Sequence, residues 1–280
     1  MNALYARRRF WNFFHFGMAM LVTVIGLVVL LWITWTTLRF GFSALNLQLF
    51  RMDTPAPGNP GGLRNAFVGS LLLVGLAVLA GTPLGILAGT FLAEFSQGRR
   101  IGGVVRFFND ILLSAPSIVI GLFAYSVVVY PMGHYSGWAG AVALAIIFVP
   151  VVLRTTDEML RLVPGSLREA ALALGAPYWT MILRVTYRAA GAGILTGILL
   201  ALARISGETA PLIFTVLNNQ FWSTDLGKPI ASLPVAIYQF AMSPYADLQA
   251  LAWAGALVTV IFILLLSLAA RYVLYRSQRS

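Results

Sequence analysis

Two charged side chains lie inside a long apolar stretch of the sequence. Arg204 and Glu208 are four residues apart within residues 189–217, in the segment Arg-Ile-Ser-Gly-Glu-Thr-Ala-Pro. An arginine at the centre of a spanning helix costs roughly 2.5–3.5 kcal/mol on insertion scales, so such residues face protein or water and mark pathways or sites. The spacing places both groups on one helix face, where Glu208 could neutralise Arg204 until an anion takes its place. The alternative is an internal ion pair that helps two helices associate.

A second arginine, Arg154, stands where the fourth apolar segment is expected to end, with Asp157 and Glu158 a turn away. A guanidinium never deprotonates and binds phosphate-like anions bidentately, so Arg154 could be a contact on the exit side of an anion pathway. It equally suits an ordinary basic anchor at the membrane boundary. The sequence offers no catalytic triad, carboxylate pair or metal-binding cluster, and we predict neither a catalytic residue nor a metal site.

These charges are conspicuous because the rest of the chain is so apolar. Of its 280 residues 59% are hydrophobic and 10% are charged, whereas soluble domains carry about 25% charged residues. The chain is therefore predicted to be an integral membrane protein in contact with lipid. It has no cysteine, which excludes disulfides and thiolate metal sites. A net charge of +10 fits basic loops beside a membrane, and we predict no nucleic-acid partner.

Six apolar segments are long enough to span a bilayer as helices. We predict an all-α polytopic membrane protein that forms one transmembrane domain over residues 1–280. The first segment is too long for the apolar core of a cleavable signal peptide and no A-x-A site follows it. The six predicted spans are about 16–38, 66–93, 108–129, 137–153, 190–217 and 248–270.

Small residues and prolines predict how some of these spans pack. Gly81, Gly85 and Gly89 recur at every fourth position of the second span, and such rows let helix backbones approach closely in lipid. Pro83 and Pro116 are expected to kink the second and third spans, because proline lacks the backbone N–H that a helix needs.

The basic residues predict the orientation of the chain. Four lie on the side that would be external, in outer loops at about 39–65 and 218–247, and Arg204 lies within a span. By the positive-inside rule both termini are then cytoplasmic, in the inner (plasma) membrane of the cell. The fourteen basic residues on the cytoplasmic side are Arg7, Arg8, Arg9, Arg99, Arg100, Arg106, Arg154, Arg161, Arg168, Arg184, Arg188, Arg271, Arg276 and Arg279.

The predicted cytoplasmic loop, about 154–188, is too long for a simple turn. Ser166 and Glu169 have the spacing of a capping box at a helix start, and Gly175 is placed to end that helix in a left-handed cap. A second amphipathic piece follows over 178–187. The loop therefore predicts two short helices presented on the cytoplasmic face, although a single helix lying on lipid would fit its arginines equally well.

No G-x-x-x-x-G-K-[ST] phosphate loop is present, and the only lysine, Lys228, lies in Gly-Lys-Pro. We therefore predict that the chain does not hydrolyse ATP. The energy for any transport must come from a partner or from a gradient.

The run Glu169-Ala170-Ala171 with Gly175 four residues later resembles the E-A-A-x-x-x-G loop of permease subunits of ATP-binding-cassette importers. The resemblance implies that these four residues belong to the coupling helix that docks on the ATPase. The family pattern continues as I-x-L-P, whereas this sequence has Val-Thr-Tyr-Arg at 185–188, with arginine in place of proline.

Longer blocks resemble the A-type permeases of phosphate-specific transport systems. They imply a six-span permease of the type I importer fold that forms half of the pathway of an ATP-driven inorganic phosphate importer. They also imply a second similar permease, a dimeric ATPase that binds ATP and magnesium, an external phosphate-binding protein and no cofactor in this chain. Arg154 lies in one of these blocks, which supports its role on the anion pathway. The blocks are 116–123, 153–160, 203–212 and 221–226.

Two other functions fit the residues. One is a permease of the same architecture for another oxyanion, such as sulfate or molybdate. The other is a stand-alone secondary transporter or channel, a class that often carries paired inverted repeats with broken helices, and we find no convincing repeat between the halves of this sequence.

Overall fold

The computed structural model of the protein describes residues 3–96 and 98–277, so Arg279, counted above, lies outside the described residues. Within that part every regular element is a helix. The helices are α1 (Ala3–Ala44), α2 (Gln48–Arg51), α3 (Arg64–Thr90), α4 (Arg100–Ser114), α5 (Ser117–Ala124), α6 (Tyr130–Met132), α7 (Gly137–Leu162), α8 (Gly165–Ala173), α9 (Tyr178–Met181), α10 (Tyr187–Ile205), α11 (Ala210–Thr215), α12 (Leu233–Ala241) and α13 (Ala246–Ser277). Three π-helical turns, Phe91–Phe95, Tyr125–Val129 and Ile182–Thr186, extend α3, join α5 to α6 and join α9 to α10.

Five helical segments of the described chain are long and apolar enough to cross a membrane, and a bent pair of helices provides a sixth crossing. The predicted all-α polytopic class is confirmed, and each predicted span overlaps one of these segments. The first and last helices extend beyond the predicted spans. The differences in the third, fourth and fifth spans reposition the charged residues.

The third predicted span, 108–129, is the bent pair. Helix α4 and the segment Ser117–Met132 meet at an angle of 105°. Ala115 at the break is extended, with φ −65° and ψ 135°, because the residue before a proline is pushed out of the helical region. Pro116 therefore breaks the span, a stronger effect than the predicted kink. Pro83 instead lies within α3, which continues through it.

The fourth and fifth predicted spans end at different points. Helix α7 continues to Leu162, beyond the predicted end at residue 153, so Arg154 lies inside a helix. The fifth span, predicted to be continuous to residue 217, breaks after Ile205 and resumes as α11 at Ala210. Pro211 fits the start of α11 because the first helical residues need no intrahelical N–H bond.

Among the described helices, α3 and α7 share the most extensive contact, and the glycine row lies in it as predicted. Gly81, Gly85 and Gly89 are buried against Phe148, Val152 and Thr156 of α7, and a Cβ built on each glycine would lie 2.6 or 2.7 Å from an atom of these side chains. The missing side chains let the two backbones approach, which makes α3 and α7 one packed unit.

Gly85→Ala is expected to lower stability by about 1–3 kcal/mol, because the new methyl group would overlap the Val152 side chain and overpack the helix pair. Gly75→Ala is the matched control on the same helix, since a Cβ there meets nothing within 4 Å. Thermal unfolding of the detergent-solubilised variants measures the difference. Equal midpoints for the two variants would contradict the close approach of α3 and α7.

The two ends of the bundle are distinct. At one end α12 packs its apolar face on the starts of α3 and α13, with Leu233, Ala236 and Phe240 buried. The region 218–247, predicted to be an outer loop, is thus anchored in the core through α12. At the other end lies α8, none of whose residues is buried. We call these ends the α12 face and the α8 face.

Candidate functional site

Arg204 and Glu208 lie at the break in the fifth span. Arg204 is in the last turn of α10, and Glu208 follows the helix end in the segment that leads to α11. Their proximity comes from the turn at 206–209, where the N–H groups of Gly207 and Glu208 donate to the carbonyls of Arg204 and Ile205. The prediction that both lie on one helix face is wrong in this detail, because Glu208 is not helical.

The contact between the two charges is loose. Arg204 Nε is 3.8 Å from Glu208 Oε1, within ion-pair distance but beyond a hydrogen bond. The Arg204 side chain is 47% exposed and that of Glu208 is 17% exposed. Non-helical backbone at membrane depth is tolerated only where it is buried in protein or lines a water-filled cavity. The guanidinium is thus half exposed, with a carboxylate beside it that can balance its charge.

Helix packing fixes the depth of Arg204 in the bundle. Gly197 and Gly193 of α10 pack on Thr155 and Met159 of α7, so the two helices are antiparallel. Ile205 consequently shares the central core cluster with Ile147, ten residues from the start of α7. At a rise of 1.5 Å per residue this is roughly 15 Å from the end of α7 at the α12 face. Arg204 is therefore at a central depth, as its position in the apolar run predicts.

Arg154 is surrounded by carboxylates. Its Nη1 donates to Asp110 Oδ1 on α4 and its Nε donates to Glu158 Oε1 on α7. The three side chains are 45%, 53% and 50% exposed, in the order Arg154, Asp110 and Glu158. Asp110 lies well inside α4. We call these three residues the Arg154 cluster.

The Arg154 cluster and Arg204 lie at different depths. On α7, Arg154 is seven residues closer to the α8 face than Ile147, a rise of about 10 Å. Both arginines are half exposed and both face acidic side chains. The structure thus places two charge-balanced guanidinium groups in succession along the bundle.

The predicted coupling residues lie on α8 and the turn after it. Glu169 and Ala170 are exposed and Ala171 is half-buried. Gly175 has φ +80° and its N–H donates to the Leu172 carbonyl at 2.9 Å, which confirms the left-handed cap. The chain then turns into α9.

The predicted capping box is wrong. Helix α8 begins at Gly165 after Pro164, which makes no side-chain cap bond, and Ser166 lies inside the helix. Proline before the first turn provides an extended entry without a side-chain acceptor, so Glu169 has no reciprocal capping role. The predicted second piece, 178–187, continues through a π-helical turn into α10.

Two buried carboxylates at the α8 face, which form three ion pairs, escaped the sequence analysis. Asp157, 5% exposed, accepts from Arg106 Nε at 2.8 Å and from Arg161 Nε at 2.9 Å. Glu94, 2% exposed, accepts from Arg168 Nη2 at 2.8 Å. A buried carboxylate requires a partner. Acidic residues such as Asp157 and Glu94 at the ends of apolar segments therefore indicated buried ion pairs.

At the α12 face, a polar network holds the segment after α11. Asn65, buried at the start of α3, donates to the carbonyls of Asn219 and Gln220 at 3.0 and 3.1 Å. Beyond them, the N–H of Gly227 donates to Asp225 and Lys228 Nζ lies 3.4 Å from the same carboxylate. These contacts lower the pKa of Asp225, the Gly227 bond contributing most. Lys228 thus serves a local turn.

The fold agrees with the comparison to known proteins. The family model described as binding-protein-dependent transport system inner membrane component matches residues 81–278. The chain belongs to this family.

Within this class the chain is similar to phosphate transport system permease proteins PstA. It is 54% identical to PstA of Pasteurella multocida (strain Pm70) over 270 residues, 96% of each chain. It is 56% identical to PstA of Xylella fastidiosa (strain 9a5c) over 276 residues, 98% of this chain and 96% of the relative. The resemblance predicted from the sequence blocks is confirmed.

A solved structure shares the fold. A chain of a bacterial alginate ABC transporter in complex with an alginate pentasaccharide-bound periplasmic protein superposes with a TM-score of 0.60. The match covers 97% of this chain and 96% of that one at 18% identity. The predicted importer-permease architecture is therefore confirmed at the level of fold.

Proposed function

We propose that this chain is the transmembrane permease subunit of an ATP-driven inorganic phosphate importer and forms half of its translocation pathway. One observation carries the proposal. A half-exposed guanidinium lies at a helix break at central depth, in a chain similar over 96% of its length to a PstA permease. Phosphate is an anion at neutral pH and arginine is the side chain best suited to bind it bidentately.

The geometry supports an anion contact at Arg204. The 3.8 Å gap to Glu208 leaves the guanidinium donors open, while the carboxylate keeps the net charge of the site near zero when no anion is bound. A bound phosphate would make the direct hydrogen bonds that Glu208 does not make. Glu208 would then return to Arg204 after the anion has passed.

The Arg154 cluster is proposed as the next contact, toward the exit. It lies nearer the α8 face than Arg204, and its two carboxylates hold Arg154 in place. Its exposure supports a position facing the second permease or the pathway between the two subunits, because charged groups in spans face protein or water.

We further propose the partners and the orientation. A second homologous permease completes the pathway, a dimeric ATPase that binds ATP and magnesium docks at the α8 face, and a phosphate-binding protein delivers the anion at the α12 face. The α8 face is cytoplasmic, as are both termini, because the arginine-rich loops lie there. Four exposed leucines at the α8 face suit a protein surface: Leu162, Leu167, Leu172 and Leu174.

Uptake of labelled phosphate by cells that lack their own high-affinity importer, supplied with this chain and its partners, tests the proposal. Excess unlabelled phosphate is expected to suppress uptake, while sulfate and molybdate leave it unchanged. Competition by sulfate or molybdate would indicate a permease for another oxyanion. Uptake without ATP and without a copurifying ATPase would indicate a stand-alone transporter.

Glu169→Ala and Gly175→Val are expected to uncouple ATP hydrolysis from transport. Glu169 is exposed on α8, so its loss should leave the fold intact, whereas valine at φ +80° forces the turn after α8 into another conformation. Phosphate-stimulated ATPase activity of the purified complex measures coupling, with Ser166→Ala on the same helix as the control. Normal stimulation in both variants would remove these residues from the coupling mechanism.

A further inference from the structure

A buried ion pair connects α8 to the end of α3. Glu94 lies in the π-helical turn that extends α3, and its side chain is 2% exposed. Arg168 lies on α8, 17% exposed, and its Nη2 donates to Glu94 Oε1 at 2.8 Å. Such π-turns occur frequently at functional sites. The pair spans 74 residues of sequence.

The same guanidinium also caps α7. Arg168 Nη1 donates to the carbonyl of Val163 and Nη2 donates to that of Leu160, both at 2.6 Å. The last carbonyls of a helix lack intrahelical partners, and a cation there is favourable. Arg168 therefore joins three elements: the helix that carries it, the end of α3 and the end of α7.

Glu94 has a second partner in the segment that follows α8. The Tyr178 hydroxyl lies 3.3 Å from Glu94 Oε2 and 3.2 Å from the Glu94 carbonyl. The Tyr178 ring also packs edge-on against Phe95 at a centroid distance of 5.5 Å. The Glu94 carboxylate thus contacts α8 through Arg168 and the start of α9 through Tyr178.

These bonds matter because α8 has little else to hold it. None of its residues is buried, and it is connected through Pro164 at one end and through Gly175, with φ +80°, at the other. An element without a buried face could swing on these connections. The guanidinium of Arg168 is the described side-chain link that fixes α8 to the ends of the spans.

We propose that Glu94 and Arg168 are a positioning pair that transmits movement of α8 to the packed unit of α3 and α7. This inference rests on the proposed function. When the ATPase displaces α8, the pair makes the ends of α3 and α7 follow, and α7 carries Arg154. Helices α3 and α7 move together because the glycine row packs them closely. Without the pair, α8 moves alone and ATP is hydrolysed without transport.

The test is the number of phosphate ions transported per ATP hydrolysed, measured on the complete complex in proteoliposomes. Glu94→Gln and Arg168→Gln are each expected to lower this ratio about tenfold or more, and the double variant is expected to be no worse than either single variant, because paired residues act as a unit. Arg184→Gln, an exposed arginine at the same face, is the control and keeps the wild-type ratio. Additive losses, or an unchanged ratio in Glu94→Gln, would overturn the proposal.

Arg168→Lys covers the case in which the glutamine variants do not assemble. Lysine keeps the charge opposite Glu94 but lacks the fork that also reaches Leu160 and Val163. It is expected to assemble with an intermediate ratio. A wild-type ratio would show that the Glu94 ion pair alone transmits the movement, whereas failure to assemble would overturn the proposal by showing that the pair has only a structural role. A wild-type complex that transports no phosphate would instead contradict the proposed function itself.

Discussion

Arg204→Gln is expected to lower phosphate uptake by roughly 10–100-fold while the protein still assembles with its partners. Hydrogen bonds to a charged group contribute about 1.5–3 kcal/mol each, and about 1.4 kcal/mol corresponds to a factor of ten. Glutamine removes both the charge and the bidentate geometry from the break between α10 and α11. It also leaves Glu208, 17% exposed, with an unbalanced negative charge where the anion must pass.

Assembly separates this role from a structural one. Because Arg204 is half exposed and forms no hydrogen bond with Glu208, its loss should leave membrane insertion and copurification with the partner ATPase at wild-type levels. Arg51→Gln removes an exposed arginine near the α12 face, away from the break between α10 and α11, and serves as the control for the lost charge. Full uptake by a normally assembled Arg204→Gln variant would end the pathway hypothesis, and lost assembly would favour the internal ion pair.

The approximate position of the candidate site could be predicted because a charged residue inside an apolar run can be recognised from the sequence alone. Arg204 and Glu208 stand out against their neighbours, and the predicted coupling residues lie in one short helix and the glycine turn that follows it. The break at 206–209 also had a local signal, since Gly207 lies just after the end of α10 and Pro211 lies in the first turn of α11. The prediction of a continuous span failed because the overall apolar character outweighed these turn residues.

Pairing between segments could not be predicted in this way. Arg154 meets Asp110 across 44 residues and Arg106 meets Asp157 across 51. Each of the nine acidic residues had nineteen basic residues as possible partners, and only the antiparallel packing of α4 and α7 selects among them. Arg106 and Arg168 fit the positive-inside rule, which predicts a side of the membrane for them but not their buried contacts.

The two carboxylates in the Arg154 cluster make the loss of Arg154 more harmful than the loss of a lone arginine would be. Asp110 and Glu158 are both half exposed and both bond to Arg154. If the arginine is removed, two carboxylates remain uncompensated on the proposed exit path. An anion about 5 Å from one unpaired carboxylate is repelled by roughly 3 kcal/mol at an effective dielectric constant of 20.

Arg154→Gln is therefore expected to lower phosphate uptake by about 100-fold, and the added changes Asp110→Asn and Glu158→Gln are expected to restore part of it. The triple variant lacks the anion contact but also lacks the repulsion, so it should transport faster than the single variant. Uptake assays in cells, normalised to the amount of assembled complex, measure both. If Arg154 is an ordinary boundary anchor, the single variant should lose little uptake and removal of the carboxylates should restore none of it. Whether the triple variant transports faster than the single variant therefore decides between the two roles of Arg154.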